Sequence, residues 1–355
     1  MTRVDRLTRP ALVIRWPRRL ALPGLSLRVD VRVVVVCAII AVATIAVFLV
    51  ALSVGDYAIP LKDVLATLVG GGTSRSQLVV GEWRLPRALL GVVLGMALGM
   101  SGAVFQSLTR NPLGSPDIIG FSTGAYTGGL VVILVFGGGY LQTAVGAVAG
   151  GLLTAALVYA LAYHRGIQGF RLIIVGIGVS ATLASINSWL VTRANLDDAM
   201  QAAVWGSGSL SGLGYDQLWP VLALLLVACP ILVAHAPALR QLELGDDTAQ
   251  ALGVGAERIR LSALMWGIVL VAIATAAAGP IAFIALVAPQ VARRLTGSAS
   301  VALLPSALTG GFLLLASDLV AQRAFAPTQL PVGVMTVSIG GVYFVWLLLR
   351  EGRRK

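Results

Sequence analysis

Few residues in this sequence have the types and spacing that catalysis or metal binding requires. Two adjacent carboxylate pairs, Asp197-Asp198 and Asp246-Asp247, could hold a divalent cation, but neither continues into a D-D-x-x-D pattern. The two histidines stand apart, and neither belongs to an H-E-x-x-H zinc motif. The two lysines, Lys62 and Lys355, lie in no G-x-x-x-x-G-K-[ST] loop, which excludes this type of nucleotide site. We therefore expect no catalytic residue, no bound metal and no cofactor in the chain itself.

Three polar or proline-containing segments interrupt an otherwise apolar sequence. Residues 101–125 (SGAVFQSLTRNPLGSPDIIGFSTGA) carry two prolines and several polar side chains, which indicates either a turn that lines a pathway or a tight hairpin. Residues 276–297 contain Pro289 within an apolar run, which predicts a helix kink that is either a hinge or static. Residues 240–260 form a polar loop that predicts a short amphipathic helix beginning near Asp246 or Asp247. This loop is either a partner contact or a solvated connector.

The composition identifies the protein class that these segments belong to. Of 355 residues, 57% are hydrophobic and 12% are charged, so the chain is too apolar for a soluble domain and indicates a polytopic membrane protein. The net charge of +11 would suggest nucleic acid binding in a soluble protein. Here it indicates membrane topology, because basic loops face the cytoplasm. We expect a lipid bilayer around the chain and no nucleic acid partner.

The apolar pattern predicts an all-α fold with about ten transmembrane helices. The candidate segments are 33–54, 88–108, 117–136, 141–163, 172–191, 218–235, 260–278, 281–295, 301–320 and 332–349. The first segment is 22 residues long, which exceeds a signal-peptide core and fits a retained helix. We divide the chain into a basic cytoplasmic extension (1–32), a transmembrane domain (33–350) and a cytoplasmic tail (351–355).

The distribution of basic residues predicts which side each loop faces. With the N-terminus inside, 20 Lys and Arg residues fall on the inner side and six on the outer side. This asymmetry predicts that both termini are cytoplasmic. A weak similarity between 91–106 and 267–283, which would run in opposite directions, suggests an inverted-topology internal repeat.

Three long stretches make the sequence similar to a known family. Residues 84–120 (RLPRALLGVVLGMALGMSGAVFQSLTRNPLGSPDIIG), 279–295 (GPIAFIALVAPQVARRL) and 329–341 (QLPVGVMTVSIGG) resemble the FecCD-type permeases. These are the membrane subunits of ATP-binding-cassette (ABC) importers for iron-siderophores, haem and cobalamin. The resemblance implies a second permease subunit, identical or homologous, and two cytoplasmic ABC ATPase subunits that bind ATP and Mg. It also implies an extracytoplasmic substrate-binding protein.

The resemblance also implies roles for individual residues. The segment DTAQALG matches the family's coupling loop, where Asp247, Ala249, Leu252 and Gly253 are expected to meet an ATPase subunit. The positions of the family's inner gate fall on Asn111 and Leu113, and on Gly169 and Phe170 before the fifth helix. Pro289 is the further candidate for the gate or pathway.

The arginines of the family that contact the binding protein correspond to Arg84, Arg87 and Arg323. Arg84 and Arg87 are three residues apart, so they share one face of what the sequence predicts to be the second helix's first turn. The alternative is that both side chains extend to lipid headgroups. For Arg323 the family position coincides with the preceding Gln322, so this match is shifted by one residue.

From the resemblance we expect a multi-pass permease of the bacterial plasma (inner) membrane that imports a metal chelate, above all a ferric siderophore. A cobalamin or haem permease is the first alternative. An ion-coupled secondary transporter is the second, although few ionisable residues lie deep in the apolar segments. A membrane enzyme is the third, and the lack of an acid, base or metal cluster argues against it.

Overall fold

The computed structural model describes residues 11–15, 26–163, 169–300 and 302–352. Fourteen α-helices, one π-helical segment and two short strands make up this part of the chain. The strands β1 (Ala11–Arg15) and β2 (Ser26–Asp30) pair antiparallel in the N-terminal extension. They are the part of the described fold that the all-α prediction does not cover.

The helices follow one another along almost the whole of the described chain. In order, they are α1 (Val31–Ser53), α2 (Leu61–Leu68), α3 (Ser74–Ser76), the π-helix Gln77–Arg84, α4 (Leu85–Thr109), α5 (Phe121–Phe136), α6 (Tyr140–Ala162), α7 (Gly169–Arg193), α8 (Leu196–Gly206), α9 (Tyr215–Leu242), α10 (Asp246–Ala251), α11 (Ala256–Ala278), α12 (Ile284–Thr296), α13 (Leu303–Arg323) and α14 (Val332–Gly352). Each of the ten predicted apolar segments contains a helix. The sequence did not predict α2 or α8, and Asp197 and Asp198 lie in the first turn of α8.

Helix length separates two groups of apolar helices. Seven helical stretches of the described residues are long and apolar enough to cross a membrane. In contrast, α5 has 16 residues and α12 has 13, which corresponds to roughly 24 and 20 Å. A hydrocarbon core is about 30 Å thick, so non-helical chain must cover the remaining depth beside these two helices.

The helix that contains Arg84 and Arg87 begins earlier than the sequence predicts. A continuous helical stretch runs from Ser74 to Thr109, and Arg84 ends its π-helical part. The two arginines therefore lie at the N-cap and in the first turn of α4, as predicted, but the unpredicted π-helix places them about three turns into the continuous helical stretch. The reason is that Val80, within the polar-looking segment QLVVGEWR, is fully buried against α1 and α2, so tertiary packing extends the helix.

Helix α4 is the central element of the fold. It packs against α9, α11, α12 and α13, and most of its residues are buried. Gly95 of α4 and Gly310 of α13 face each other so closely that a Cβ on either would overlap the other's carbonyl oxygen. Small residues permit this approach of two backbones, which is how helices gain van der Waals contact in lipid.

One end of the α4–α13 pair is joined by a buried ion pair. Arg87 donates from Nε to Asp318 Oδ2 at 3.1 Å and from Nη2 to Asp318 Oδ1 at 2.9 Å. The Asp318 side chain is 3% exposed, and Gln322 donates to the same carboxylate at 2.8 Å. This bidentate arrangement fixes the register of the two helices at one end of the bundle. Arg84 and Arg323 also lie there, and we call it the Arg84 end.

We predict that Arg87→Ala destabilises the chain strongly, because it leaves the Asp318 carboxylate buried without its cation. The expected cost is about 3 to 5 kcal/mol of unfolding free energy, measured by thermal unfolding of the purified protein in detergent. The control is Arg323→Ala, which removes a pair with the 78%-exposed Asp56 side chain. That pair is expected to contribute less than ~1 kcal/mol. Equal losses for the two variants would contradict the structural role of Arg87.

Candidate functional site

The predicted coupling loop is a short helix between two glycine turns. Helix α10 begins at Asp246, as the sequence predicts, and Gly245 before it and Gly253 after it both have positive φ, +119° and +82°. Ala249 is fully buried in the main core, whereas the Leu252 side chain is exposed. Asp247 is also exposed. Leu252 and Asp247 are therefore accessible from outside the chain, while Ala249 holds α10 against α9 and α11. Contact of these residues with an ATPase subunit stays a prediction.

Asp246 connects α10 to two other helices through its carboxylate. Its Oδ1 accepts a hydrogen bond from Arg260 Nη2 of α11 at 2.7 Å and one from Arg110 Nη2 at the end of α4. Arg110 also donates to the Leu242 carbonyl at the end of α9 at 2.9 Å. We call Arg110, Asp246 and Arg260 the Asp246 triad. The triad joins the adjacent ends of α4, α9 and α11 through α10. We call this part of the bundle the α10 end.

The Asp246 triad is charged at neutral pH. Partial burial raises the pKa of Asp246, but hydrogen bonds and charge from Arg260 and Arg110 outweigh it and hold the pKa below the ordinary value of 3.8. Because the folded pKa is depressed, the pairing contributes stability above the unfolded pKa and loses it as pH falls through the folded value. The two arginines differ in setting, since Arg260 is buried and Arg110 is half exposed.

The predicted gate residues lie next to the Asp246 triad. Arg110 ends α4 in the left-handed conformation (φ +50°), and the turn that follows is closed by Asn111 Oδ1, which accepts from the Leu113 backbone N–H at 2.9 Å. Gly169, the first residue of α7, packs on Thr109 so closely that a Cβ would lie 2.7 Å from the Thr109 Cα. The structure thus brings together the two segments predicted to form the gate. Phe170 is exposed beside them.

Pro289 acts on this region through the helix that it interrupts. It is buried inside α12 and removes the hydrogen bond to the carbonyl of Ala285. That carbonyl oxygen faces Gly102 of α4, where a Cβ would overlap it. Gln106 of α4 donates to the next carbonyl, that of Leu286, at 2.9 Å. Where α12 lacks its own hydrogen bond, its backbone therefore touches the backbone of α4 at Gly102. A side-chain hydrogen bond from Gln106 joins the two helices at the next residue.

A second contact ties α12 to the gate turn. Gln290 Nε2 donates to the Pro112 carbonyl at 2.8 Å. A cavity of about 410 Å³ opens beside this contact, and Arg110, Arg293 and Arg294 are among its lining residues. The turn after α4 is thus held by α7, α10 and α12 together.

The three arginines predicted to contact a binding protein all have partners within the chain. Arg84 donates to the carbonyls of Leu52 and Tyr57 at 2.8 and 2.6 Å, and Arg87 is paired with Asp318. Arg323 pairs with Asp56 at 3.2 Å at the surface. Contact with a partner stays a prediction for all three. Arg323 is the one whose intramolecular partner is itself largely exposed.

Sequence reasoning missed the Asp246 triad, although it singled out the loop that contains Asp246. The triad joins positions 14 and 136 residues apart, and no local pattern relates them. The available signal was the isolated Arg110 directly before the predicted gate turn. Within the described residues, no group of three or more His, Cys, Asp or Glu side chains is placed to hold a metal ion.

Comparison with known proteins gives concordant matches. The model of the FecCD transport family matches residues 43–350. The chain is 48% identical to the ferric enterobactin transport system permease protein FepG of Escherichia coli K12, over 91% of this chain and 98% of that protein. It is 36% identical to the iron(3+)-hydroxamate import system permease protein FhuG of Bacillus subtilis 168, over 89% and 97%. The hemin transport system permease protein HmuU of Yersinia pestis is 35% identical over 77% and 83%.

A solved structure has a similar fold. It is described as a metal-chelate type ABC transporter in an inward-facing conformation, and it superposes with a TM-score of 0.78 at 26% identity. The match covers 89% of this chain and 99% of that chain.

We predict that Gly102→Ala destabilises the protein, because the added methyl group must displace the backbone of α12 at Ala285. The expected cost is about 1 to 3 kcal/mol in thermal unfolding. Gly178→Ala in α7 is the matched control, since nothing lies within 4 Å of a Cβ there. That change is expected to be neutral or slightly stabilising, because alanine favours helix more than glycine. A smaller loss for Gly102→Ala than for the control would contradict the close contact.

Proposed function

The chain belongs to the FecCD transport family, and on that premise we propose that it is the membrane-spanning permease subunit of an ABC importer for a ferric siderophore. The cargo is proposed from the relatives, since three of those most similar in sequence are named for ferric enterobactin, iron(3+)-hydroxamate and siderophore transport. The chain is a multi-pass membrane protein, and we place it in the bacterial inner membrane. Haem import is less favoured, because the hemin permease HmuU is 35% identical against 48% for FepG, and cobalamin and ion-coupled transport are not favoured by these matches.

The assembly proposed around the chain has three kinds of partner. Two cytoplasmic ATPase subunits bind ATP and Mg and contact the exposed side chains of α10, Asp247 and Leu252. A second permease subunit completes the pathway. An extracytoplasmic binding protein delivers the chelate to the Arg84 end, where Arg323 is the proposed contact and Arg84 and Arg87 keep the underlying helices in place. The chain itself performs no covalent chemistry.

The Asp246 triad is the observation that carries the mechanism. A displacement of α10 by an ATPase subunit would pull on Asp246, and its ion pair with Arg110 would pass the displacement to the end of α4. The gate turn begins at the next residue, Asn111, and rests on Gly169 of α7. The proposed coupling is therefore mechanical, in which one charged contact joins the ATPase-facing helix to the gate.

We expect ATP-driven uptake of a ferric siderophore into proteoliposomes that contain the permease, its ATPase subunits and its binding protein. Gly253→Val is expected to lower uptake at least about fivefold, because a side chain in the left-handed region strains the turn after α10 by ~1 to 2 kcal/mol.

Gly255→Val is the matched control for this variant, since Gly255 has negative φ and open space around it. It is expected to retain uptake. Uptake driven by an ion gradient without ATPase subunits would overturn the proposed function.

We predict that Arg110 and Asp246 act as a pair in coupling. Arg110→Gln and Asp246→Asn are each expected to lower the chelate imported per ATP hydrolysed by about fivefold. The double variant is expected to be no worse than the worse single variant, because both changes remove the same contact. Arg193→Gln and Asp197→Asn, at exposed positions near the far end of α7, serve as controls. Additive losses in the double variant would contradict the pairing.

A further inference from the structure

An apolar groove lies between α6 and α9 and contains none of the predicted site residues. Helices α6 and α9 both pack on α11, and the groove is the space between them. Its volume is about 620 Å³, within the range of small-molecule sites. Ile273, Ala276 and Ala277 of α11 form its floor, and all three are buried. The two alanines keep the groove deep, because their side chains do not fill it.

The walls of the groove are almost entirely apolar. Helix α6 contributes residues from Tyr140 to Leu152, and α9 contributes residues from Asp216 to Leu224. Wall residues such as Leu141 and Val145 are largely exposed. A contiguous exposed apolar surface of this kind marks contact with a lipid or with a protein partner.

The length of the groove distinguishes these two occupants. Its lining covers about three turns of α6 from Leu141 and about two turns of α9 from Asp216, which correspond to roughly 16 and 12 Å. A hydrocarbon core is about 30 Å thick, so the groove has the depth of one leaflet. A membrane-spanning helix of a partner would need a groove through the whole core, whereas the acyl chains of a lipid end at its middle. The groove therefore fits lipid chains.

Aromatic residues place the mouth of the groove at the membrane surface. Tyr140 and Tyr215 are the first residues of α6 and α9, and Tyr215 stacks on the exposed Trp219 with ring centroids 6.2 Å apart. Tyrosine and tryptophan are enriched at the level of the lipid headgroups. Tyr215 also donates to the Gly81 carbonyl at 2.8 Å, so the mouth lies at the Arg84 end.

The polar groups at the mouth suit a headgroup with both charges. Asp216 lines the mouth, is exposed and has no ion-pair partner among the described residues. Beside it, Gln217 accepts the Gly214 N–H on Oε1 at 2.8 Å, which leaves its Nε2 protons for a phosphate oxygen. In the described part of the chain no Lys, Arg or His lines the groove. The mouth thus attracts an ammonium group and offers no cation to an anionic headgroup.

We propose that this groove binds one phospholipid whose headgroup carries an ammonium group, a phosphatidylethanolamine, and that Asp216 selects it over an anionic phospholipid. The ammonium group contacts the Asp216 carboxylate, Gln217 donates to the phosphate, and the acyl chains lie on the floor formed by α11. The proposal requires only that the chain spans a membrane, and it does not depend on the cargo or on the partner subunits.

The test uses two photoactivatable lipids, a phosphatidylethanolamine and a phosphatidylglycerol with the same diazirine-labelled acyl chain. Each is added in the same trace amount to the purified full chain in nanodiscs of equal parts unlabelled phosphatidylethanolamine and phosphatidylglycerol. After irradiation, the labelled residues are mapped by mass spectrometry. We expect both probes to label the groove residues of α6 and α9, and the phosphatidylethanolamine probe to do so about fivefold more, as for one charge at about 4 Å in water.

Variants assign the headgroup preference to Asp216. Asp216→Asn is expected to bring the labelling by the two probes to within about twofold. Asp197→Asn is the matched control, because Asp197 is also an exposed carboxylate in the first turn of a helix, α8, and does not line the groove. It is expected to keep the preference.

A second pair of variants assigns the labelling to the groove itself. Ala149→Phe places a large side chain in the groove and is expected to lower its labelling by both probes at least about fivefold. Ala156→Phe, two turns farther along α6 and outside the lining, is expected to leave the labelling unchanged. Thermal unfolding of each variant checks that the fold is intact.

Four results would overturn the proposal. The first is equal or stronger labelling of the groove by the phosphatidylglycerol probe, and the second is a preference that survives Asp216→Asn. The third is labelling spread evenly over the exposed helices, which would indicate bulk lipid only. The fourth is the absence of lipid labelling in the groove, which would indicate a protein occupant.

Discussion

The structure depends on the close contact of α4 with α12 and α13, because lipid cannot satisfy the backbone and offers no hydrophobic gain between helices. Gly95 and Gly310 let two backbones touch, and Gly102 lets α4 approach the carbonyl of Ala285, whose helical hydrogen bond Pro289 removes. A side chain at any of these glycines would separate the helices. Helix α4 is consequently enclosed along most of its length, and a displacement applied to one of its ends is not absorbed by loose packing.

Both ends of this enclosed helix are held by charge. At the Arg84 end, Arg87 forms a buried bidentate pair with Asp318. At the α10 end, Arg110 is held by Asp246, which is shared with the buried Arg260. The two contacts differ in what surrounds them. The Arg87–Asp318 pair is buried and fixes the register of α4 and α13. The Arg110–Asp246 pair is half exposed and joins α4 to α10, whose outer face is exposed.

The short helices explain why polar groups occur inside an apolar bundle. Because α5 and α12 are too short to cross a bilayer, the turns before them lie within the bundle and need polar neighbours. Near the α10 end these neighbours are Gln106 and Gln290, which bind backbone carbonyls. Farther along α7, Asn187 Oδ1 and the nearby Asp117 Oδ2 before α5 are buried without a hydrogen-bond partner among the described residues. The same constraint thus produces a closed polar contact in one place and buried oxygens without a hydrogen-bond partner in another.

Composition and local pattern determined the membrane class, the ten apolar segments and the start of α10 at Asp246, because these depend on hydropathy and on residues close in sequence. The same information placed Arg84 and Arg87 in a first helical turn, and the resemblance to a known family assigned them to a partner, which stays a prediction. Only the tertiary structure revealed the helical turns that precede Arg84 and the buried partner of Arg87, since Val80 is buried by α1 and α2, and Asp318, which neutralises Arg87, lies 231 residues away. The Asp246 triad likewise exists only where distant segments meet, and pairing across such separations leaves no periodic signal in the chain.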